Sequence, residues 1–162
     1  MFEREAVLYE FVLGYVQRLT ADIDDAQLGW SPQPGVHSAA WILSHMAIAT
    51  DYALMNLGQK PALPKEWHKR FGPGSPELAN GEARPSKSEL LAAIAAGHAR
   101  VSEAVKSARP EQLQGPHPVK VLDGTPIKTV EHLIAHLMTT HAAAHTGQLS
   151  FWRRCAGKPA LF

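Results

Sequence analysis

His141 and His145 stand four apart in the run THAAAHTGQL, Thr140 to Leu149. On an α-helix, positions i and i+4 share one face, so both imidazoles can be aimed at a single atom. Neutral imidazole is a common ligand for divalent metals, and two rings fixed on one helix lose little freedom on binding. A third imidazole, His45, lies far upstream in the amphipathic segment WILSHMAIATDY. Three histidines drawn from two helices would hold a divalent ion and leave coordination positions open. The competing reading is that His45, His141 and His145 are core histidines, each with its own hydrogen-bond partner. A buried neutral imidazole must satisfy both a donor and an acceptor, at roughly 1–3 kcal/mol per failure. Pattern alone leaves both readings open.

Four helical segments are expected to carry these residues. Segment A runs from about Phe2 to Thr20, with Val7, Leu8, Phe11, Val12, Tyr15, Val16 and Leu19 as its apolar stripe. The turn-rich stretch DIDDAQLGWSPQPGVHS follows as a loop. Segment B runs from about Ser38, a plausible N-cap, to Leu57, and its stripe is Trp41, Ile42, His45, Ile48, Ala49 and Tyr52. Residues 58 to about 85 hold several prolines and glycines and read as a long crossing loop that Trp67, Phe71 and Leu78 could anchor. Segment C runs from about Ser86 to Arg109, opens on the capping box Ser86/Glu89, carries Leu90, Ile94, His98, Val101 and Val105, and stops at Pro110. Val119 to Lys128 is expected to form a small β-hairpin around a type I′ turn at Asp123-Gly124. Segment D runs from Thr129 to about Ala156, with Val130, Leu133, Ile134, Leu137, His141, His145, Gln148 and Trp152 on one face and Gly157 as C′ residue. Four such segments imply an all-α four-helix bundle. The B–C connection is long enough to run back along a helix, so B and C can lie parallel in an up-down-down-up arrangement.

Composition bounds the function. The chain has 162 residues, nine histidines, one cysteine and a formal net charge of +1. That length suits a single domain over 1–162 with a sizeable core. The near-neutral charge and scattered basic residues exclude a nucleic-acid surface. No apolar run approaches the roughly 20 residues of a membrane span. The opening FEREAVLYEF is charged rather than secretory, and a lone Cys155 suits the cytoplasm.

The remaining polar residues are ranked by helical phase. His132 and His136 are also four apart, but at 100° per residue they fall about 180° and 140° from His141 and so off its face. His98 is placed at the edge of segment C's stripe, as a boundary residue, fourth ligand or nearby base. His37, His68 and His117 lie in or near loops and form no constellation. Gln148 is placed either to orient a ligand or to pack across the bundle, and Gly147 to allow close helix approach. Trp41 and Tyr52 flank His45 as pocket wall or core. Asp51, about 240° from His45, is not a general base for this site, and Cys155, about 15 Å along the axis from His145, is not its nucleophile.

HAAAHTGQL resembles the HxxxHxGQ signature of DinB/YfiT-like proteins, and WSPQPGVHSAAWILSH resembles their approach into the second helix, which ends in its histidine. The likeness spans nearly the whole chain. It implies an up-down-down-up bundle and a divalent metal held by His45, His141 and His145. Zinc suits three nitrogens with an open position, and nickel, iron and manganese also accept imidazole. The resemblance further implies a small-molecule enzyme, a metal-dependent transferase or hydrolase. The favoured reaction is S-transfer from a low-molecular-weight thiol of the bacillithiol or mycothiol kind. It also implies a homodimer, to which the apolar end Pro159–Phe162 could contribute. The alternative is a non-catalytic metal-binding stress-response module acting as a dimer, and a further one is a bundle without metal. Thr146 and Ala144 depart from the arginine and the aromatic or histidine common in the family at those positions, which bears on the pocket wall.

Overall fold

The computed structural model describes residues 1–79 and 81–161. Its elements in chain order are α1 (Glu3–Thr20), α2 (Asp25–Leu28), α3 (Ala39–Asn56), α4 (Lys65–Phe71), α5 (Lys87–Lys106), α6 (Pro110–Leu113), α7 (Val130–His136) and α8 (Ala142–Cys155). A single π-helical turn, Leu137–His141, joins α7 to α8, so segment D is one helix with a bulge in it. The caps fall where the residue types put them. The Ser38 and Thr129 side chains accept from the Trp41 and His132 N–H groups, and Ser86 and Glu89 form a reciprocal capping box.

Two groups of buried side chains fix the topology. One joins Val12, Val16 and Leu19 of α1 to Trp41–Ile48 of α3, Leu90 and Ile94 of α5, and Leu149 and Trp152 of α8. The other joins Phe2 and Tyr9 to Ala53, Leu54 and Leu57, Val101 and Val105, and Val130, Ile134 and Met138. The start of α3 therefore meets the start of α5 but the end of α1 and the end of α8. The bundle is up-down-down-up, with α3 and α5 parallel. Helix α3 is apolar on nearly every face and is buried accordingly, down to Ser44, Thr50 and Asp51.

The parallel pair packs closely at Gly97. A Cβ there would lie 2.0 Å from Thr50 Oγ1 and 2.6 Å from Thr50 Cβ. Gly147, expected to serve close approach, has open space where a Cβ would stand. Helix α1 also departs from expectation. Tyr9, Val12, Val16 and Leu19 are buried, while Val7, Leu8 and Phe11 from the same stripe face outward. The apolar band of segment A is wider than the surface available to cover it.

The crossing connection is ordered by one carboxylate. Asp51 is 1 % exposed and accepts from the Ala62 and Leu63 N–H groups at 2.9 and 2.8 Å and from His68 Nε2 at 3.1 Å, with Arg100 3.8 Å away. The anchors expected in this connection do hold. Phe71 is fully buried, and Trp67 and Leu78 pack on the core. Its prolines and glycines had concealed α4. At the far end, buried Arg153 closes the C-terminal region onto α1 through Leu19 O at 2.7 Å, Pro159 O at 3.3 Å and the Asp22 carboxylate. Leu161 packs on the core, and Phe162, expected with it as an apolar end, lies outside the described residues.

The expected β-hairpin is absent among the described residues. Asp123 has φ −59° and ψ 140°, and Gly124 has φ 81°, which is a type II turn closed by Thr125 N–H to Leu122 O at 3.1 Å. Type I′ needs positive φ at both central positions, and the type II twist splays the flanking arms. Pro118 and Pro126 cannot donate to a ladder. The first arm instead winds into a 3-10 turn at Lys120–Leu122. The segment is pinned at its base by the Pro116–Thr129 bridge and by His117 Nε2 on Ile127 O at 2.9 Å.

Gly97→Ala is expected to lower the unfolding free energy by about 1–3 kcal/mol, because either α3 or α5 must give way. Urea denaturation measures it, and a change near zero would mean that the two helices separate freely.

Candidate metal centre

His45 reaches the centre from the middle of α3, His141 from the end of the π-turn and His145 from the first turn of α8. The Nε2 atom of His141 is 3.2 Å from the Nε2 of His45 and 3.2 Å from the Nε2 of His145. These three residues form a group able to hold a metal ion. Two of the rings have their tautomer set from behind. His45 Nδ1 lies 2.6 Å from Phe71 O at the end of α4, and His145 Nδ1 lies 2.8 Å from Gln148 Oε1. A carbonyl oxygen only accepts, so each Nδ1 carries the hydrogen and each Nε2 presents a lone pair. Gln148 therefore orients His145 and does not pack across the bundle, where it would have been buried.

The donor set fits a cation. With two lone pairs fixed, His141 Nε2 can offer one hydrogen to one of them at most, and the rest of the cluster is left unmet. A single Lewis acid accepts all three. Two nitrogens bound at about 2.1 Å to one ion stand about 3.0–3.4 Å apart, which brackets the observed 3.2 Å. Burial keeps the rings neutral, the state a ligand needs. It lowers the pKa of His45, lowers that of His145 to about 4, and lowers that of His141 far below the ordinary value, with the neighbouring imidazoles adding to the effect on the last two.

The π-turn corrects the helical-phase reading of His136. An i→i+5 turn inserts one extra residue, so positions five apart come to lie over one another. His136 and His141 are five apart, and their ring centroids are 5.6 Å apart. His136 Nδ1 lies 2.6 Å from Thr140 Oγ1, and its ring shares a cavity wall with His45 and His141. The same insertion moves the core stripe on by one residue. Met138, Ala142, Thr146 and Leu149 are buried, while Leu137 and the histidines sit at the stripe's edge. The His132 ring stays away from the group and accepts from the Lys128 N–H at 3.3 Å.

Other histidines also differ from expectation. His37 stacks on Trp41 at 3.5 Å, and Trp41 stacks on His45 at 4.9 Å, so a loop residue buttresses the site through an aromatic stack. His98 is buried rather than at a boundary. It lies 3.5 Å from the Tyr9 ring and outside the three-histidine group, and burial lowers its pKa to about 4. Thr146 folds its hydroxyl back onto Ala142 O and Ala143 O, at 3.1 and 2.8 Å, and Ala144 is exposed. Cys155 is exposed and free.

Beside the imidazoles lies a cavity of about 590 Å³. Its walls include His45, Ala49 and Tyr52 of α3, Leu133 and His136 of α7, and the Pro118–Leu122 segment. Tyr52 is thus pocket wall, whereas Trp41 is core and stack. Among the described residues, no helix is long and apolar enough to cross a membrane.

The four-helix bundle thus brings three imidazoles able to hold a metal ion together beside a cavity. Residues 8–149 match the DinB superfamily, and the chain belongs to it. The fold is similar to that of a conserved protein from Enterococcus faecalis, with TM-score 0.73 and 22% identity over 98% of each chain. It is also similar to YfiT from Bacillus subtilis, described as a probable metal-dependent hydrolase with an unusual four-helix bundle topology. That likeness has TM-score 0.68 and 17% identity over 97% of this chain and 88% of the other. No curated protein sequence matches the chain.

The depressed histidine pKa values set a pH dependence. Each buried ring binds its proton less readily folded than unfolded, so the unfolded chain takes up more protons as pH falls below about 6.5. Stability of the metal-free protein is therefore full above that value and lost progressively toward pH 4, where His98 and His145 would titrate within the fold. The melting temperature is expected to fall between pH 7 and pH 5, and to fall less in His98→Phe, which keeps the Tyr9 stack. A flat profile in the wild type would contradict the burial of these rings as neutral groups.

Proposed function

We propose that the chain, as a single cytoplasmic domain, binds a divalent metal through His45, His141 and His145 and uses it on a small-molecule substrate. The observation that carries this reading is the convergence of three Nε2 atoms, two of them held as lone pairs by Phe71 O and Gln148 Oε1. Zinc is the ion we assign, with nickel as the alternative. The description of YfiT as a metal-dependent protein and the family membership support the same reading.

A divalent ion at this position would supply Lewis acidity, lowering the pKa of a thiol or a water molecule toward neutrality. The chain's own residues contribute positioning and shelter. Trp41, stacked on His45, holds the ring in plane, and Gln148 keeps the Nε2 of His145 directed inward. The apolar side chains of the neighbouring cavity exclude water from a bound substrate. His136, fixed by Thr140, stands on the cavity wall where it can accept or return a proton. We assign the reaction as S-transfer from a low-molecular-weight thiol to an electrophile, with hydrolysis as the second reading, favoured by the description of YfiT. A homodimer is the proposed assembly, supported by Val7, Leu8 and Phe11, which leave an apolar strip of α1 uncovered.

Metal analysis of untagged protein, purified without added metal or chelator, is expected to find near-stoichiometric metal in the wild type and none in His141→Ala. No metal in either protein after reconstitution with zinc or nickel would end the metalloprotein reading. Gln148→Ala is expected to weaken zinc affinity by about tenfold or more while leaving the fold intact, measured by competition with a chromophoric chelator. Thiol transfer is tested with the loaded protein and a panel of thiols and electrophiles. Failure to turn over any pair, together with no fall in a thiol's pKa, would rule it out. Sedimentation of wild type against Phe11→Glu tests the dimer, which the charge should dissociate.

A further inference from the structure

The cavity beside the imidazoles has a hydrocarbon surface, with Ala49, Met55, Val121, Leu133 and Leu137 among its walls. Its charged lining residue is a cation, Lys120, in the segment that roofs it. Among the described residues no aspartate or glutamate lines it. Two carboxylates stand next in sequence to lining residues: Asp51, beside Tyr52, is committed elsewhere, to Ala62, Leu63, His68 and Arg100, and Asp123, beside Leu122, is exposed to solvent. Three neutral imidazoles cancel none of the charge of an ion they hold, so a divalent ion would add two uncompensated positive charges at one end. A positive field between low-dielectric walls, with no counter-charge in the lining, favours an anion and repels a cation. The volume of about 590 Å³ is that of a small-molecule site.

We infer that this cavity takes an apolar molecule carrying one anionic head, a thiolate or a carboxylate on a hydrocarbon body. The head faces His45 and His141, and the body lies under Val121. The inference rests on the metal reading above, because the ion supplies most of the field. Selectivity then comes from two independent sources. Sign of charge is read at the histidine end, and apolar area is read along α3, α7 and the Pro118–Leu122 roof. A small hydrophilic thiol would use the first and leave the second unfilled.

The test is calorimetric titration of zinc-loaded and metal-free protein with octanoate, octanol and octylammonium, with zinc content measured on the same samples. Octanoate is expected to bind the loaded protein about tenfold or more tightly than octylammonium, and its advantage over octanol should vanish without zinc. Val121 is 69 % exposed, so Val121→Asp is compatible with the fold. It is expected to weaken octanoate by about tenfold with zinc content and melting temperature unchanged. Equal binding of octanoate and octylammonium by zinc-loaded samples, or no response to Val121→Asp, overturns the inference and leaves the metal reading standing. Samples that take up no zinc overturn the metal reading, and the inference with it.

Discussion

Three imidazoles, one buried and two half-buried in an alanine- and leucine-rich bundle, impose the constraint that governs this molecule, because each ring must place a donor and an acceptor where water has little access. His45 meets it by donating Nδ1–H to Phe71 O, and His145 by donating to Gln148. Both solutions leave the Nε2 lone pairs directed at the same point. The first also explains why the connection between α3 and α5 is built as it is. Phe71 must sit at the end of a helix lying on α3, with its side chain fully buried and its carbonyl turned to His45. Asp51, six residues after His45, gathers the start of that connection through two N–H groups and His68. A carboxylate far from the imidazoles in helical phase thus acts on them through the chain it holds in place.

The site joins elements of unlike rigidity. Helix α3 is buried on almost every face and locked to α5 at Gly97, so His45 has a fixed origin. The segment Pro118–Leu122 on the other side of the cavity is tied down at its base and exposed at Val121. Between them the π-turn trades one α-helical hydrogen-bond register for another, and in doing so turns His136 onto the cavity wall. Such bulges recur at functional sites because they re-aim side chains without breaking the helix. A straight α-helix would carry His141 and His145 together and leave His136 on the outside.

Much of this was legible in the order of the amino acids. Periodicity 3.6 marks α1, α5 and the segment D helix, and α3, apolar on nearly every face, is marked by its long, mainly apolar run. Ser38, Ser86, Thr129 and Gly157 mark their ends, and the i, i+4 spacing of His141 and His145 marks their shared face. The length of the B–C connection permits the parallel arrangement of α3 and α5. These are local properties, settled by side-chain type and by spacing within one turn.

What only the tertiary structure decided depends on contacts between distant residues. The π-turn leaves no mark on a periodicity that assumes 100° per residue, so His136 was misplaced by helical phase alone. The Asp123-Gly124 pair suits either turn type, and the extended ψ of Asp123 makes it the type II turn, which splays the flanking arms. Which half of the α1 stripe is covered depends on the area that α5 and α8 can present to it. The meeting of His45 with His141 is the largest such decision. Pattern left three histidines as either separate core residues or one cluster. The antiparallel crossing of α3 and α8, together with the carbonyl of Phe71, brings their Nε2 atoms within 3.2 Å.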